Sequence, residues 1–318
     1  MGDVRQAVTG QKRRDVLTPL THISVTSIQD FQKCPLRWCY RWLDNRVARR
    51  EPVALTVGKL VHTAFEKHFE NPADKIGGIL YDLLDTYEHH LLTEYEEKAY
   101  REARGLCEPL NHWSDFYPVT ETLEVEAPFE YNLHNGLIFQ GRPDRVVLVN
   151  DHVFHMQHKT ISASRNLDTY ISVARRSMHE LLYGDYLAQK YADRGVYGGT
   201  IYNIVRKLKH KSEAKGKNFG RVLHEPHEFF LQTPIPVNPS LVKQAKADLN
   251  ILANQMKQVA DNYAEGINPP SSRHLDEDMF SKRTDTYFGV LMGEVSLDDD
   301  GIFMDRDNPY TEDSIEQV

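Results

Sequence analysis

The sequence predicts an α/β chain, on three observations. Strand-like stretches, Glu121 to Leu133, Gly199 to Lys207 and Glu228 to Gln232, lie among stretches with the 3.6-residue period of helices. Two apolar runs, Leu137 to Val149 and His152 to Met156, flank Asn150-Asp151, a pair that favours tight hairpin turns. With 318 residues the chain can form one large domain or two small ones around a sizeable core.

Taken in order, residues 1–22 are polar, carry Lys12, Arg13 and Arg14, show no periodicity and read as a flexible leader. Ser24 or Ser27 can cap a helix that turns Ile28, Phe31, Trp38 and Trp42 inward, with Cys34-Pro35 marking a break or a second helix start. Arg37, Arg41, Arg46, Arg49 and Arg50 form a first basic surface. A helix from about Ala54 to Glu70 buries Val57, Val61, Ala64, Phe65 and Phe69, and His62 lies beside that stripe with Gly58 leaving room one turn earlier. Ile76 to Ala103 reads as one long amphipathic helix stopped by Gly105, so that residues 54–105 are a helical region.

Glu121 to Leu133 reads as a strand that turns at His134-Asn135-Gly136. With a three-residue loop Glu126 lies opposite Asp144; with a two-residue loop it meets Arg145, and the sequence leaves both registers open. After a polar loop, Ile161 to Asp168, a helix from about Thr169 to Asp193 places His179 and Tyr183 on one face, with Arg175 and Arg176 one turn earlier. The strand ending at Lys207 runs into a second basic stretch containing Arg206, Lys207, Lys209, Lys211, Lys215, Lys217 and Arg221. Such a stretch either grips phosphates or is a solvated linker. A last long helix runs from Asn238-Pro239 to Glu265, ended by Gly266. The remainder, residues 267–318, is acidic and loosely patterned.

A net charge of −8 argues against a protein that coats nucleic acid over its whole surface, although it leaves room for a local basic groove. No apolar run of about 18 residues and no apolar N-terminal signal is present, so a membrane partner is not expected and a cytoplasmic setting is. Cys34, Cys39 and Cys107 are too few and too widely spaced for a disulfide framework or a zinc quartet.

The central hairpin gathers chemistry. With Asn150-Asp151 as its loop, paired positions sum to 301, so that Asp144 falls opposite Gln157. Period two then places Lys159 on the face of Gln157, while Met156 and His158 point the other way. An acid, an amide oxygen and an ammonium converge, a set suited to a hard divalent cation and a charged phosphate; a solvated surface hairpin is the alternative.

Gly141-Arg142-Pro143-Asp144, followed by an apolar strand ending in Gln157-His158-Lys159-Thr160, resembles the core of the PD-(D/E)XK nucleases, and most closely their RecB-type branch of exonucleases. Ser24 through Tyr40, with Trp42 at the second aromatic, is similar to the segment that opens the nuclease domain in that branch. Gly58 to His62 resembles its G-x-x-x-H element, and His179 to Tyr183 stands where Q-x-x-x-Y is usual. The resemblance implies a mixed central sheet flanked by helices, a restriction-endonuclease-like core with a helical N-terminal insertion, over residues 23–266. It implies a site with His62, Asp144, Gln157 and the His158 backbone carbonyl on Mg²⁺ or Mn²⁺, and Lys159 as catalytic lysine alongside Asp144 and Gln157; the register that sets Glu126 opposite Asp144 makes it a candidate extra acid. It assigns His179 and Tyr183 to nucleic-acid contact; the shared helix face adds Arg175 and Arg176, and the basic charge run adds Arg206, Lys207, Lys209 and Lys211.

The branch often carries an iron-sulphur cluster, which is not expected here because no cysteine follows Cys107. The function implied is metal-dependent hydrolysis of DNA, exonucleolytic on single-stranded or end-containing substrate, in recombination, repair or phage DNA metabolism, with a recombination or replication protein as further partner. Gln157 departs from the motif, where Asp or Glu is usual, and removes a charge from the expected site. The alternative is therefore a nuclease-fold protein that binds DNA or a protein without cutting.

Overall fold

The computed structural model describes residues 19–49, 52–88, 94–117, 121–126, 128–208, 224–269, 287, 290, 295–299 and 302–305. Residues 1–18 of the expected leader, residues 209–223 of the second basic stretch with Lys209 and Lys211, and most of the acidic tail lie outside these residues. The chain is a mixed α/β structure.

In chain order the elements are β1 (His22–Ile23), α1 (Val25–Lys33), α2 (Pro35–Trp38), a π-helical turn (Cys39–Leu43), β2 (Arg46–Ala48), α3 (Val53–Glu70), α4 (Ile76–Glu88), α5 (Glu94–Leu110), α6 (Trp113–Phe116), β3 (Glu121–Val125), β4 (Phe129–Asn132) and β5 (Ile138–Gly141). There follow β6 (Arg145–Val149), β7 (His152–Ser162), α7 (Leu167–Ala174), α8 (Met178–Lys190), β8 (Val196–Lys207), a 3₁₀ turn (Pro226–Phe229), β9 (Phe230–Ile235), α9 (Pro239–Ala264) and β10 (Phe303–Asp305).

The chain divides into two compact units. The first takes residues 1–50, 130–140 and 247–318. Ser24 caps α1 by accepting from the Ser27 N–H at 3.2 Å, and Pro35 opens α2, where its missing N–H costs nothing. Buried indoles find polar partners, Trp38 donating to Ser27 and Trp42 to Asp30. Part of the tail expected to be loose is ordered: β10 pairs antiparallel with β2, and Phe303 is fully buried beside Tyr40 and Tyr287.

The second unit takes residues 51–129 and 141–246 and holds a five-stranded sheet in the order β3-β6-β7-β8-β9. Its pairs are antiparallel except β7 with β8, which run parallel. β6 and β7 pair as the turn predicts, Val149 with His152 and Arg145 with Met156. Asn150 and Asp151 both take positive φ, 49° and 60°, the conformation of a two-residue hairpin turn whose twist matches the strands. One face of β7 lies under α3, whose Phe65 stacks on His158 at 4.3 Å between centroids, and the other under α8, whose Glu180 meets His155. Gly58 of α3 does not make room over His62; a Cβ there would instead stand 3.4 Å from Thr160 of β7.

Three expected elements are each divided. The single strand Glu121 to Leu133 is β3 and β4, in different sheets, separated at Glu126, whose φ is +48°. The long helix from Ile76 is α4 and α5, and Gly105 lies inside α5 rather than ending it. A mid-helix glycine costs about 1 kcal/mol. Burial of Leu106 and Leu110, each about 1 % exposed and worth about 2 kcal/mol, outweighs that cost. The helix expected from Thr169 to Asp193 breaks at residues 175–177 into α7 and α8. Arg175 and Arg176 thus sit exposed at the end of α7 and in the turn, not on the face carrying His179 and Tyr183.

Candidate active site

The end of β3, the entry to β6, the middle of β7 and the middle of α3 meet in the second unit. Arg142 and Pro143 lead into β6, and Asp144 immediately precedes that strand. Its Oδ2 accepts from the His158 N–H at 2.6 Å, which ties it to β7, and its Oδ1 lies 3.2 Å from His62 Nε2. The Glu126 N–H donates to the Asp144 carbonyl at 3.1 Å, so the three-residue-loop register holds at this point. Positive φ at Glu126 then turns its carboxylate into the same space. Oε1 lies 3.2 Å from His62 Nε2, and Oε2 lies 2.8 Å from Arg142 Nε.

Charge is concentrated here with little water to screen it. Burial alone would raise the Asp144 carboxyl, but the hydrogen bond from His62 and the charge of Lys159 hold it well below the usual carboxylate range. Glu126 is pushed up to about 7, first by burial and further by the Asp144 charge, against the opposing pull of His62 and Arg142. Burial lowers His62, yet the hydrogen bond and charge of Asp144, with Glu126, more than reverse this and raise it.

Gln157 is fully buried; its Oε1 accepts from Lys159 Nζ at 3.0 Å, and its Nε2 has no acceptor among the described residues. A buried amide hydrogen-bond donor left unmade costs about 1–3 kcal/mol. Lys159 shares the Gln157 face of β7, as the strand period requires. His158 projects from the opposite face, and burial depresses its imidazole to about 3. Its Nδ1 accepts from Asn203 Nδ2 at 2.8 Å.

The flanking residues are placed as follows. His179 is largely buried, depressed to about 4 by that burial, and its ring stands perpendicular to Tyr183 at 4.0 Å. Tyr183 is buried rather than presented at a surface, and its hydroxyl accepts from the Arg142 backbone N–H at 3.0 Å. Lys207 is paired with Glu102 at 2.9 Å, and Arg206 makes a long contact, 3.5 Å, to the Glu228 carbonyl.

Two features escaped the sequence. Arg142 became visible only through Glu126. A buried network joins α8 to the sheet: Glu180 accepts from His155 Nε2 at 2.7 Å, Thr200 Oγ1 at 2.8 Å and Tyr202 OH at 2.6 Å. Period two places His155 on the Gln157 face, and Ser177-x-x-Glu180 has the form of a helix start, but neither signal says that the carboxylate is spent on the sheet.

His62, Glu126 and Asp144 offer donor atoms all within 4.8 Å of one another, a set able to hold a metal ion. The set fits a hard divalent cation: two carboxylates and an imidazole are forced together, and a cation would relieve the repulsion that lifts Glu126.

The family model of the PD-(D/E)XK nuclease superfamily matches residues 22–274, and the chain belongs to that superfamily. Its members use divalent metals, and the fold implies a nucleic-acid substrate. Among solved structures the chain is similar to a candidate exonuclease from Eubacterium rectale, at 13 % identity and a TM-score of 0.47, covering 82 % of this chain and 88 % of that one. It is also similar to SSO0001, at 11 % identity and a TM-score of 0.30, covering 84 % and 87 %. No curated protein matches the sequence. Among the described residues no helix is long and apolar enough to cross a membrane.

Proposed function

We propose that the protein is a divalent-metal-dependent deoxyribonuclease acting on single-stranded or end-containing DNA, in recombination, repair or phage DNA metabolism within the cytoplasm. The observation that carries this reading is the position of Glu126. Its carboxylate stands beside Asp144 and His62 and so restores the charge that Gln157 withholds.

His62 Nε2, Asp144 Oδ1 and Glu126 Oε1 would hold Mg²⁺ or Mn²⁺, with the Gln157 amide oxygen and the His158 backbone carbonyl as neutral donors. When bound, the ion supplies a water of lowered pKa and a counter-charge for phosphate. Lys159, steadied by Gln157, orients the attacking water and offsets the charge that builds on phosphorus. Asp144 is kept ionised by His62 and Lys159, and its grip on the His158 N–H fixes the spacing of the two strands.

Gln157 and its unpaired Nε2 favour a second reading, a nuclease-fold protein that binds DNA or a protein without cutting. The test is digestion of end-labelled single-stranded DNA with Mn²⁺ by the wild type and by Lys159→Ala, alongside Mn²⁺ titration calorimetry. Cutting by the first and not the second supports the enzyme. Mn²⁺ binding without any cutting supports the silent form, and no Mn²⁺ binding overturns the metal site.

A further inference from the structure

The guanidinium of Arg142 is anchored at one end and open at the other. Its Nε lies 2.8 Å from Glu126 Oε2, while its two terminal amino groups have no hydrogen bond or ion pair to any described residue. The side chain is 20 % exposed, so the group is not sealed from solvent.

The backbone beneath is fixed from three directions. The Arg142 N–H is held by the buried Tyr183 hydroxyl. Pro143 follows, and a residue before proline is confined to extended conformations. Gly141 precedes, where a Cβ would stand 2.3 Å from the Tyr183 ring and 2.7 Å from Phe129, so only glycine allows the tyrosine its approach.

Glu126 divides its two oxygens. Oε1 faces His62 and the metal-holding set, and Oε2 faces Arg142. The carboxylate can therefore serve the cation and hold the arginine at once, which leaves a planar fork of two N–H₂ groups beside the proposed ion.

We propose that Arg142 grips a phosphate of the nucleic-acid strand next to the His62–Glu126–Asp144 set, with both terminal amino groups on non-bridging oxygens while Glu126 holds Nε. This rests on the metal-nuclease reading above. A guanidinium matches two phosphate oxygens with parallel hydrogen bonds, which an ammonium cannot do. Arg175 and Arg176 are exposed in a turn and have no such anchorage, so Arg142 binds with less ordering left to do.

The test measures binding rather than turnover. Fluorescein-labelled oligothymidylate is titrated with wild type, Arg142→Gln and Arg142→Lys in Ca²⁺ at several salt concentrations, read by anisotropy. Mn²⁺ affinity is measured separately by calorimetry without DNA. Arg142→Gln is expected to weaken DNA binding about tenfold and to reduce the salt slope by about one, with Mn²⁺ affinity undiminished. Arg142→Lys keeps the charge without the fork and is expected to lose about threefold with the slope retained. Should Arg142→Gln not fold, an Arg142→Lys affinity equal to wild type overturns the proposal. Equal affinity and slope for wild type and a folded Arg142→Gln overturn it while leaving the nuclease reading intact. Failure of the wild type to bind either Mn²⁺ or the oligonucleotide removes both.

Discussion

Glu126 Oε1 stands 3.2 Å from His62 Nε2, although one residue immediately follows β3 and the other lies in the middle of α3. The site therefore carries two carboxylates even though Gln157 is neutral. Glu126→Gln is expected to lower Mn²⁺ affinity on the order of a hundredfold, because it removes a full charge from a poorly solvated site. Adding Gln157→Glu to that variant should recover a large part of the loss, since Lys159 already lies 3.0 Å from the Gln157 oxygen. Titration calorimetry of the two variants and wild type checks this; no recovery would mean that position 157 does not face the ion.

Metal affinity should also depend on pH. Glu126 is raised to about 7 and His62 is raised above its ordinary value, so both hold protons near neutrality that a cation must displace. Mn²⁺ binding is expected to tighten from pH 6 to pH 8 with release of protons. Calorimetry in buffers of different ionisation enthalpy counts them. Glu126→Gln should flatten the dependence.

The hairpin was legible because its information is local. Asn150-Asp151 tolerates positive φ, and period two then places Asp144, Gln157 and Lys159 without reference to the rest of the chain. The register of Glu126 was legible only as a choice between two, decided by a Leu133 to Leu137 closure around Gly136 at φ 83°. What could not be read is non-local. Glu126 itself takes φ +48° with no glycine to announce it, because its backbone is held by Asp144. The break before α8 carries no Gly or Pro, and Glu180, which would cap the new helix, is drawn to His155, Thr200 and Tyr202 across the sheet. Tyr183 was readable as a helix-face residue, but its use as an acceptor for Arg142 depends on a glycine 42 positions earlier.

Gly141→Ala tests that last dependence. Its Cβ would overlap both the Tyr183 ring and the Phe129 ring, which pack edge-to-face at 5.0 Å. Overpacking of this kind costs about 1–3 kcal/mol. Tyr183→Phe should cost only about 1 kcal/mol, the worth of one hydrogen bond, because the ring stays and the contact is not relieved. Urea denaturation of both variants checks the order. A Gly141→Ala protein as stable as wild type would mean that Tyr183 does not press on this strand.

Stability should fall with acidification through His158. Its ring stacks on Phe65 at 4.3 Å and lies 5.4 Å from Phe69, and burial depresses its pKa to about 3, below the 6.5 of an unfolded chain. Below pH 6.5 the unfolded state takes up a proton that the folded state refuses, so the contribution is complete above 6.5 and is lost progressively down to about 3. Between pH 7 and pH 5 the loss is about 2 kcal/mol. Glu126 acts in the opposite direction over part of this window, because a carboxyl raised to about 7 regains stability as it protonates. The clean measurement is a difference: urea melts in EDTA at pH 7 and pH 5 for wild type and His158→Leu. The Glu126 contribution is common to both proteins and cancels. The wild type should lose about 2 kcal/mol more than the variant over those two pH units. An equal change in the two proteins would mean that His158 accepts a proton in the folded state, and so is not held neutral by its burial against Phe65.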